Sequence, residues 1–314
     1  MKQIPLGQSS LKSSRLAYGC MRISGTWNPN EITPEKIKRG KQAVLAAYEA
    51  GYTLFDHADI YGRGECERIF GEVLKENPRI RRDILIATKC GIRQTGDPSP
   101  DSPSRYDFSK KHILSSCEQS LKRLGIETID LYQLHRPDEL GDPQEIAEAF
   151  QKLFDQGKVR FFGVSNFLPS RWRSLQAQLP FRLAVNQVQI SLACLDCFTD
   201  GTLDLCIEQK ITPLAWTPLA KGLVASGGVA QPAHPQREGL QKLLDLLDAV
   251  ALQKEVSRTV ISLAWLMQHP SQIIPIIGTT DPQRIKEAAQ ADQIELSREE
   301  WYKIWVAARM KPLP

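Results

Sequence analysis

The chain is organised around residues 52–61, which read Tyr52-Thr-Leu-Phe-Asp-His-Ala-Asp-Ile-Tyr61. The apolar start of this stretch follows Gly51, a residue type that commonly ends a helix. Two carboxylates, an imidazole and a phenol then fall within the six residues from Asp56 to Tyr61. An apolar strand whose carboxyl end carries clustered titratable groups is how α/β enzymes present their chemistry. Taken alone, the stretch also fits a strand followed by a polar turn.

Apolar runs of this kind recur along the chain and alternate with segments of helical periodicity. Thr33 with Pro34 marks the beginning of one helix, and Gly51 marks its end. The motif Asp142-Pro143-Gln144-Glu145 predicts a capping box with proline at the first helical position. The predicted strands cover residues 16–19, 52–56, 83–89, 129–134, 159–164, 183–188, 211–216 and 273–277.

Eight apolar strands that alternate with helices over 314 residues predict a parallel sheet covered on both faces. That number favours an α/β fold of the closed (β/α)8 or TIM-barrel type. Because no composition break marks a linker, we expect one barrel domain over residues 1–314. We also expect a β-hairpin over residues 1–16 and an extra C-terminal helix that begins at Ser297. Pro275 is unfavourable inside the last strand, since proline cannot donate to a ladder.

The alternative architecture is a doubly wound open sheet, which commonly carries G-x-G-x-x-G after its first strand. Gly62-Arg63-Gly64 comes closest to this pattern, but Glu67 stands where the third glycine should be. No G-x-x-x-x-G-K-[ST] phosphate-binding motif occurs in the sequence either. The barrel is therefore the preferred fold.

Composition and charge exclude several classes of protein. A net charge of +4 without a long Lys/Arg block argues against nucleic acid as a partner. The N-terminus shows no apolar signal region, and no run is long enough to span a bilayer, so we expect a soluble cytoplasmic protein with no membrane partner. The odd count of seven cysteines fits reduced thiols. Cys194 and Cys197 form a C-x-x-C, which fits half a zinc site or a redox pair, but no second pair or matching His spacing follows.

Polar side chains gather at the predicted strand ends, which share one face in a barrel. They are Asp56 with Tyr61, Lys89, His135, Ser165 with Asn166, Gln187, and Trp216 with Thr217. Residues far apart in the sequence are therefore expected to meet in one site.

This set of side chains suits the protonation of an oxygen atom. A free phenol has a pKa of about 10, and the ammonium group of Lys89 is expected to lower that of Tyr61. Asp56 would hold Lys89 charged and in place, while His135 would donate a hydrogen bond to a carbonyl oxygen that gains negative charge. No activated Ser or Cys nucleophile is evident, so a hydride donor fits the second half of the reaction.

Each of these residues also has a purely structural interpretation. Lys89 alone reads as a solvated strand end, Asp56 as a turn cap, and His135 as a hydrogen-bonded structural histidine. Amides at strand ends often only satisfy backbone groups, and tryptophan is commonly a core residue. The functional interpretation depends on their combination at one end of one barrel.

Five stretches resemble the aldo-keto reductase superfamily, in the same order and over essentially the whole chain. They are residues 55–62 (FDHADIYG), 87–91 (ATKCG), 129–135 (IDLYQLH), 157–167 (GKVRFFGVSNF) and 274–280 (IPIIGTT). The sequences around His57 and from His135 to Asp138 look most like the bacterial YdhF-type branch.

The resemblance implies an NADPH-dependent oxidoreductase that reduces aldehydes or ketones on a (β/α)8 barrel without a metal. Asp56, Tyr61, Lys89 and His135 match the family's catalytic tetrad, with Tyr61 as the proton donor. Trp216 stands where relatives usually carry the Tyr that stacks on the nicotinamide. The implied cofactor-binding residues are Gly19, Met21, Arg22, Asp56, Ser165, Asn166, Gln187, Trp216, Thr217, Leu219, Lys221, Gly222, Gly278, Thr279, Thr280, Arg284 and Glu287.

The adenosine end of the implied site favours NADP(H) over NAD(H). Arg284 falls on the first turn of a helix begun by Asp281-Pro282, where a guanidinium and a helix N-terminus both favour a phosphate. Gly278 and Ala288 depart from the pattern, since many relatives carry a basic residue and an Asn there.

The resemblance places the substrate pocket among the loops that follow several strands. These loops contain Ile23, Trp27, Ile60, residues 91–108 and residues 218–237. Arg136 stands where relatives often carry an aromatic residue, and with Arg22 and Lys89 it suggests carbonyls that bear a carboxylate or phosphate. The interpretation we favour is that Arg136 pairs with Asp138 or Glu139 in solvent.

Two other functions stay open at this point. A metal-dependent barrel hydrolase or isomerase would use His57, Asp59 and His135 but lacks a further ligand. A non-catalytic NADP-binding regulatory or accessory subunit would bind the nicotinamide without turnover, and the complete tetrad argues against it. For the preferred enzyme the partner is a small-molecule carbonyl substrate, and we expect a monomer.

Overall fold

A computed structural model gives the architecture and describes residues 1–231 and 235–313. The strands in chain order are β1 (Gln3–Pro5), β2 (Lys12–Ser14), β3 (Ala17–Gly19), β4 (Leu54–Asp56), β5 (Leu85–Cys90), β6 (Ile92–Arg93), β7 (Arg105–Tyr106), β8 (Ile129–Leu134), β9 (Val159–Ser165), β10 (Val185–Gln189), β11 (Thr212–Trp216) and β12 (Ile274–Ile277). The helices are α1 (Pro34–Glu49), α2 (Glu65–Glu76), α3 (Ile80–Asp83), α4 (Lys110–Leu124), α5 (Pro143–Asp155), α6 (Pro169–Gln176), α7 (Thr202–Gln209), α8 (Arg237–Gln253), α9 (Arg258–Met267), α10 (Pro282–Ala289) and α11 (Arg298–Arg309).

Within the described residues, eight parallel strands close into a barrel. Their order around the barrel is β3, β4, β5, β8, β9, β10, β11 and β12, and β12 pairs back onto β3. Ile276 faces Ala17 and Ile277 faces Tyr18 at this closure. The predicted (β/α)8 barrel is confirmed, and the open doubly wound sheet is wrong.

The N-terminal hairpin covers the end of the barrel at which the strands begin. β1 and β2 pair antiparallel, and the turn between them is closed by the Leu6 amide, which donates to the Leu11 carbonyl at 2.9 Å. Both leucines are buried in one cluster with Ala17 and Leu54, the first residues of β3 and β4. Burying a leucine contributes about 1.5–3 kcal/mol, so the hairpin stabilises the end opposite the polar strand termini.

Helix caps explain where the outer helices begin, with one correction. The Thr33 side chain accepts from the Lys36 amide and Pro34 occupies the first turn, as predicted. Asp142 caps α5 by accepting from the Gln144 amide. The predicted capping box is wrong, because the Glu145 carboxylate accepts from the Lys110 amide at 2.8 Å and joins α5 to α4 instead.

Residues 91–108, expected to be a loop, contain the short antiparallel pair β6 and β7. Gly91 adopts a φ of +106°, and a Cβ there would lie 2.2 Å from the Phe108 ring. Arg93 binds the carboxylates of Asp97 and Asp107 at 2.7 and 2.9 Å. The segment is therefore an ordered flap anchored beside the end of β5.

One strand boundary differs from expectation, and one strand contains the unfavourable proline. Asp83 ends α3 and does not begin β5, which starts at Leu85. Pro275 lies inside β12 despite its missing N–H, and the register with β11 covers only Leu214↔Ile274 and Ala215↔Pro275. A short ladder is the expected consequence of proline in a strand.

The extra C-terminal helix α11 is present and is tied to α9. Ser297 and Glu300 form a reciprocal capping box at its start. The indole rings of Trp265 and Trp301 stack with centroids 4.8 Å apart. Each indole N–H donates to the other residue's carbonyl oxygen, at 3.1 and 3.0 Å. None of the helices among the described residues combines the length and apolarity that crossing a membrane requires.

Candidate active site

Lys89 is the centre of a buried polar cluster at the carboxyl ends of β4 and β5. Its side chain is fully buried, and its Nζ donates to both carboxylate oxygens of Asp56 at 2.8 Å. The same Nζ donates to the His57 carbonyl oxygen at 2.6 Å and lies 3.4 Å from the Tyr61 hydroxyl oxygen. These contacts fix the Lys89 ammonium group beside the Tyr61 hydroxyl.

The backbone brings these groups together by register and by a tight turn. Asp56 ends β4 opposite Ala87, two residues before Lys89 on β5. After Tyr61 the chain turns through Gly62, Arg63 and Gly64, which have φ values of 56°, 56° and 91°. Glycine tolerates this left-handed region well. The Gly62-Arg63-Gly64 segment thus turns the chain into α2.

His135 completes the group of predicted catalytic residues. Its ring lies 5.8 Å from the Tyr61 ring, centroid to centroid, at an angle of 79°. Burial, with the charges of Lys89 and Arg136, lowers the pKa of His135 well below its usual value, so the imidazole is neutral at pH 7. In the described part of the chain no group bonds to the buried Nδ1 of His135, which leaves Nε2 as the nitrogen open to the cavity.

The pKa of Tyr61 differs from the sequence-based expectation. Burial raises it above 10.0, and the opposing effect of Lys89 does not overcome burial. For Lys89 itself, burial lowers the pKa, but Asp56 and Tyr61 together more than offset this, so its pKa is raised. The expected net lowering for Tyr61 is wrong, because the Lys89 charge is shared with Asp56 and the phenol is shielded from water.

His57 and Asp59, the other two titratable residues between Asp56 and Tyr61, have side chains outside this cluster. His57 is fully buried, its ring packs 4.5 Å from Phe70, and neither ring nitrogen has a hydrogen-bond partner among the described residues. Burial lowers the pKa of His57 to about 3 and raises that of Asp59 to about 7, where nearby Glu67 adds to the effect. In residues 1–231 and 235–313 no group of three His, Cys, Asp or Glu side chains is arranged to hold a metal.

A chain of hydrogen bonds links the remaining strand ends to Asp56. The Trp216 indole N–H donates to Asn166 Oδ1 at 2.9 Å, and Asn166 Nδ2 donates to Ser165 Oγ at 2.8 Å. Ser165 Oγ donates to the Gln187 carbonyl oxygen, and Gln187 Nε2 donates to Asp56 Oδ1 at 2.9 Å. These amides therefore do more than satisfy backbone groups.

A cavity of ≈ 580 Å³ opens over this face of the barrel. It is lined by Asp56, Tyr61 and His135, and by all of the predicted cofactor-binding residues except Thr280. Trp27, Ile60 and Ile92 also line it, whereas Ile23 is buried in the core and does not. Residues 232–234 of the predicted pocket loop lie outside the described residues.

Sequence reasoning missed Thr259 as a lining residue. Thr259 is the second residue of α9, and its Oγ1 accepts from the Ser226 amide at 3.0 Å. The sequence shows only that Thr259 lies two residues after Ser257, which caps α9. That position does not reveal that Thr259 lies close to a loop distant in the sequence.

The lining fits a nicotinamide dinucleotide. Trp216 offers a flat aromatic face, and among the described residues no group donates to Gln187 Oε1, which leaves an acceptor free for a carboxamide. Lys221 and Arg284 supply cations suited to phosphates. Arg284 is exposed, and its Nε lies 3.9 Å from the Asp281 carboxylate.

The favoured interpretation of Arg136 is wrong. Asp138 accepts from the amides of Phe108 and Leu140, and Glu139 is bound by Arg171. Arg136 instead lies with its Cζ 5.0 Å from the centroid of the Trp216 ring.

The cysteine pair offers no reactive thiol in this structure. Cys194 and Cys197 both carry free thiols, and both thiols contact the Gln189 carbonyl oxygen. Burial raises the pKa of Cys194 and raises that of Cys197 to about 12. Both are therefore protonated at neutral pH.

The fold and the site define a (β/α)8-barrel protein with a dinucleotide-sized cavity at the carboxyl ends of its strands. Comparison with known proteins then gives the family: a model described as "Aldo/keto reductase family" matches residues 15–307, and the chain belongs to that family. Members use NAD(P)H and act on small-molecule carbonyl compounds, and the chain is an oxidoreductase.

Relatives agree with this assignment. The chain is 40% identical to oxidoreductase YdhF of Escherichia coli strain K12, over 98% of both chains. It is 39% identical to a 6-dehydroglucose reductase of Novosphingobium aromaticivorans, over 98% of this chain and 96% of the relative. The solved structure of a glycerol dehydrogenase from Gluconobacter oxydans matches with a TM-score of 0.87 and 26% identity, over 99% of this chain and 97% of that one.

Proposed function

We propose that the protein reduces aldehydes or ketones to alcohols with NADPH, and that Tyr61 is the proton donor. The observation that carries the proposal is the position of the Tyr61 hydroxyl, on the cavity wall and 3.4 Å from the buried Lys89 ammonium. A phenol beside a fixed cation can release a proton because the resulting phenolate is stabilised.

The roles of the side chains follow from their positions. The nicotinamide, when bound, supplies the hydride to the carbonyl carbon. Tyr61 transfers its proton to the carbonyl oxygen and is later reprotonated from solvent, while Lys89 stabilises the phenolate. Asp56 holds Lys89 charged through two hydrogen bonds. His135, neutral at pH 7, donates from Nε2 to the same carbonyl oxygen.

The cofactor would lie along the predicted binding residues. Ser165, Asn166 and Gln187 would hold the carboxamide, and Trp216 would stack on the ring. Thr217, Leu219, Lys221 and Gly222 would contact the pyrophosphate. Gly19, Met21 and Arg22, at and after the end of β3, would also face the cofactor. Gly278, Thr279, Thr280, Arg284 and Glu287 would surround the adenosine. The side-chain types fit these tasks, and the cavity lining supports all of them except Thr280.

Arg284 supports NADP(H) in preference to NAD(H). It is exposed on the first turn of α10, where the Asp281 side chain already accepts from the amides of Gln283 and Arg284. A 2′-phosphate would meet a guanidinium with a fork suited to its oxygens. Arg284→Ala is expected to raise the NADPH dissociation constant much more than that of NADH. Equal effects in a fluorescence titration would overturn the nucleotide assignment.

The function is tested by following NADPH oxidation with small aldehydes, 2-oxo acids and quinones. Tyr61→Phe should lower kcat by ~10²–10⁴-fold, the usual contribution of a general acid, while NADPH still binds. Tyr106→Phe, at an exposed tyrosine on β7, is the matched control and should leave kcat unchanged. NADPH binding without turnover of any carbonyl would favour the accessory subunit.

The single domain and the monomeric state stay predictions.

A further inference from the structure

Arg136 lies in the cavity wall and has no anionic partner within residues 1–231 and 235–313. It directly follows His135 at the end of β8, is half-buried, and contacts the Trp216 ring. In the part of the chain that the structure describes it makes no hydrogen bond and no ion pair. A guanidinium has five N–H donors, so this one is unsatisfied by protein groups.

The carboxylates closest in sequence are occupied elsewhere. Asp138 is held by the backbone amides of Phe108 and Leu140 at 2.8 and 3.0 Å. Glu139 is exposed and is bound by Arg171 at 2.9 Å. Neither carboxylate neutralises Arg136.

Among the described residues, neither carboxylate that lines the cavity pairs with Arg136. These carboxylates are Asp56, which is bound by Lys89 and Gln187, and Glu287 on α10. α10 follows β12, which lies across the barrel from β8, so Glu287 is remote from Arg136. In the proposed binding mode Lys221 and Arg284 would bind cofactor phosphates and Arg22 would also contact the cofactor, which leaves Arg136 without an assigned anion.

We propose that Arg136 is a specificity-determining residue that binds a carboxylate on the substrate. The inference rests on the proposed carbonyl reduction, because the carboxylate is placed relative to a carbonyl held by Tyr61 and His135. The guanidinium fork matches the two oxygens of a carboxylate, and a bidentate charge-assisted pair is stronger than a cation–π contact. The carboxylate therefore draws Arg136 away from Trp216. Short oxo acids and carboxylated aromatic aldehydes are the expected substrate class.

Matched pairs of acids and their methyl esters test this specificity. The pairs are succinic semialdehyde with methyl 4-oxobutanoate and 4-carboxybenzaldehyde with methyl 4-formylbenzoate. Wild type should have the higher kcat/KM for at least one acid of the two pairs. Arg136→Gln should lower that acid's kcat/KM by ~10–100-fold, as expected for a lost hydrogen bond to a charged group. The matching ester should change by less than about threefold, and Arg136→Lys should restore part of the preference.

Arg171→Gln is the matched control. It removes a guanidinium from the same end of the barrel, but Arg171 binds Glu139 and does not line the cavity. The ratio of kcat/KM for the acid to kcat/KM for its ester should therefore stay at the wild-type value. A ratio that falls equally in both variants would show a general charge effect and overturn the inference. Carbonyl turnover with no acid preference in wild type would overturn it as well.

A binding readout separates this inference from the proposed function. Calorimetry with NADP⁺-saturated wild type, and with protein alone, would measure affinity for 4-carboxybenzaldehyde and its methyl ester. Tighter binding of the acid that is lost in Arg136→Gln supports the inference even if no carbonyl is turned over. Equal affinities in wild type and variant overturn it. A higher NADP⁺ dissociation constant in Arg136→Gln, with an unchanged acid preference, would assign Arg136 to the cofactor.

Discussion

Asp59→Asn is expected to stabilise the protein at neutral and alkaline pH, although it changes a titratable residue in the stretch that carries the active site. The Oδ1 atom of Asp59 is buried and has no hydrogen-bond partner among the described residues. Burial, with Glu67 nearby, raises the pKa of Asp59 from 3.8 to about 7. The native state therefore favours the protonated acid, which asparagine resembles in shape and charge.

The magnitude follows from the difference between the two pKa values. In the unfolded chain Asp59 ionises near pH 4, so between pH 4 and pH 7 the folded state binds the additional proton. The contribution of Asp59 to the free energy of unfolding is then highest below pH 4, falls between pH 4 and pH 7, and is constant above pH 7. A gap of about three pH units at ~1.36 kcal/mol each makes the ionisation cost about 4 kcal/mol above pH 7. The Asp59→Asn variant would not carry this cost, because an amide does not ionise.

The assay is urea unfolding of wild type and Asp59→Asn at a series of pH values from 4 to 8.5. The free energy of unfolding of the variant minus that of wild type should rise by ~1.36 kcal/mol per pH unit and level off above pH 7. Asp101→Asn, at an exposed aspartate of the 91–108 segment, should give a difference independent of pH. A flat difference for Asp59→Asn would refute the reasoning, because Asp59 would then be ionised in the native state.

Two further changes test the packing that positions the site. Gly91→Ala should lower the free energy of unfolding by at least ~2 kcal/mol, because its Cβ would meet the Phe108 ring at a left-handed φ, and urea unfolding would measure it. An unchanged urea midpoint would show that Phe108 and the 91–108 flap move to accept the added methyl group at little cost. Trp301→Phe should cost about 1–2 kcal/mol by removing the indole N–H that donates to the Trp265 carbonyl, whereas Trp305→Phe, which loses no such bond, should cost less. Equal losses in the two variants would contradict this reading of the α9–α11 contact.

The sequence predicted the barrel and the meeting of its strand ends because both depend on local patterns. Alternating apolar strands and capped helices determine a parallel barrel, and a barrel places all strand carboxyl ends on one face. Asp56, Lys89 and His135 are each at or next to such an end, so their proximity followed from topology. Tyr61 is followed by a turn whose glycines were visible in the sequence, but the left-handed conformation and the direction of that turn were not.

The sequence could not predict pKa values and hydrogen-bond partners that depend on neighbouring residues from other helices and strands. Asp56 and Asp59 lie three residues apart, yet one is bound by Lys89 and the other lies near Glu67, which α2 supplies. The same is true of Glu145, which bonds to a neighbouring helix instead of its own N-cap. Arg136 was expected to pair with a carboxylate close in sequence, but Arg171 had already bound Glu139.

The direction of the Tyr61 pKa changes how its acidity should be understood. A proton donor must hold its proton until the carbonyl oxygen becomes basic, and a raised pKa ensures that the phenol is protonated at neutral pH. A free Lys89 charge would favour the phenolate before substrate arrives, but Asp56 accepts two of its hydrogen bonds and balances that charge. In the proposed reaction, hydride transfer to the carbon would make the oxygen more basic than the phenolate, and Tyr61 would then give up its proton. Burial first, and then the Asp56 charge, keep the pKa of Tyr61 raised and the phenol protonated at rest. In that proposal Lys89 would lower the energy of the phenolate only when it forms.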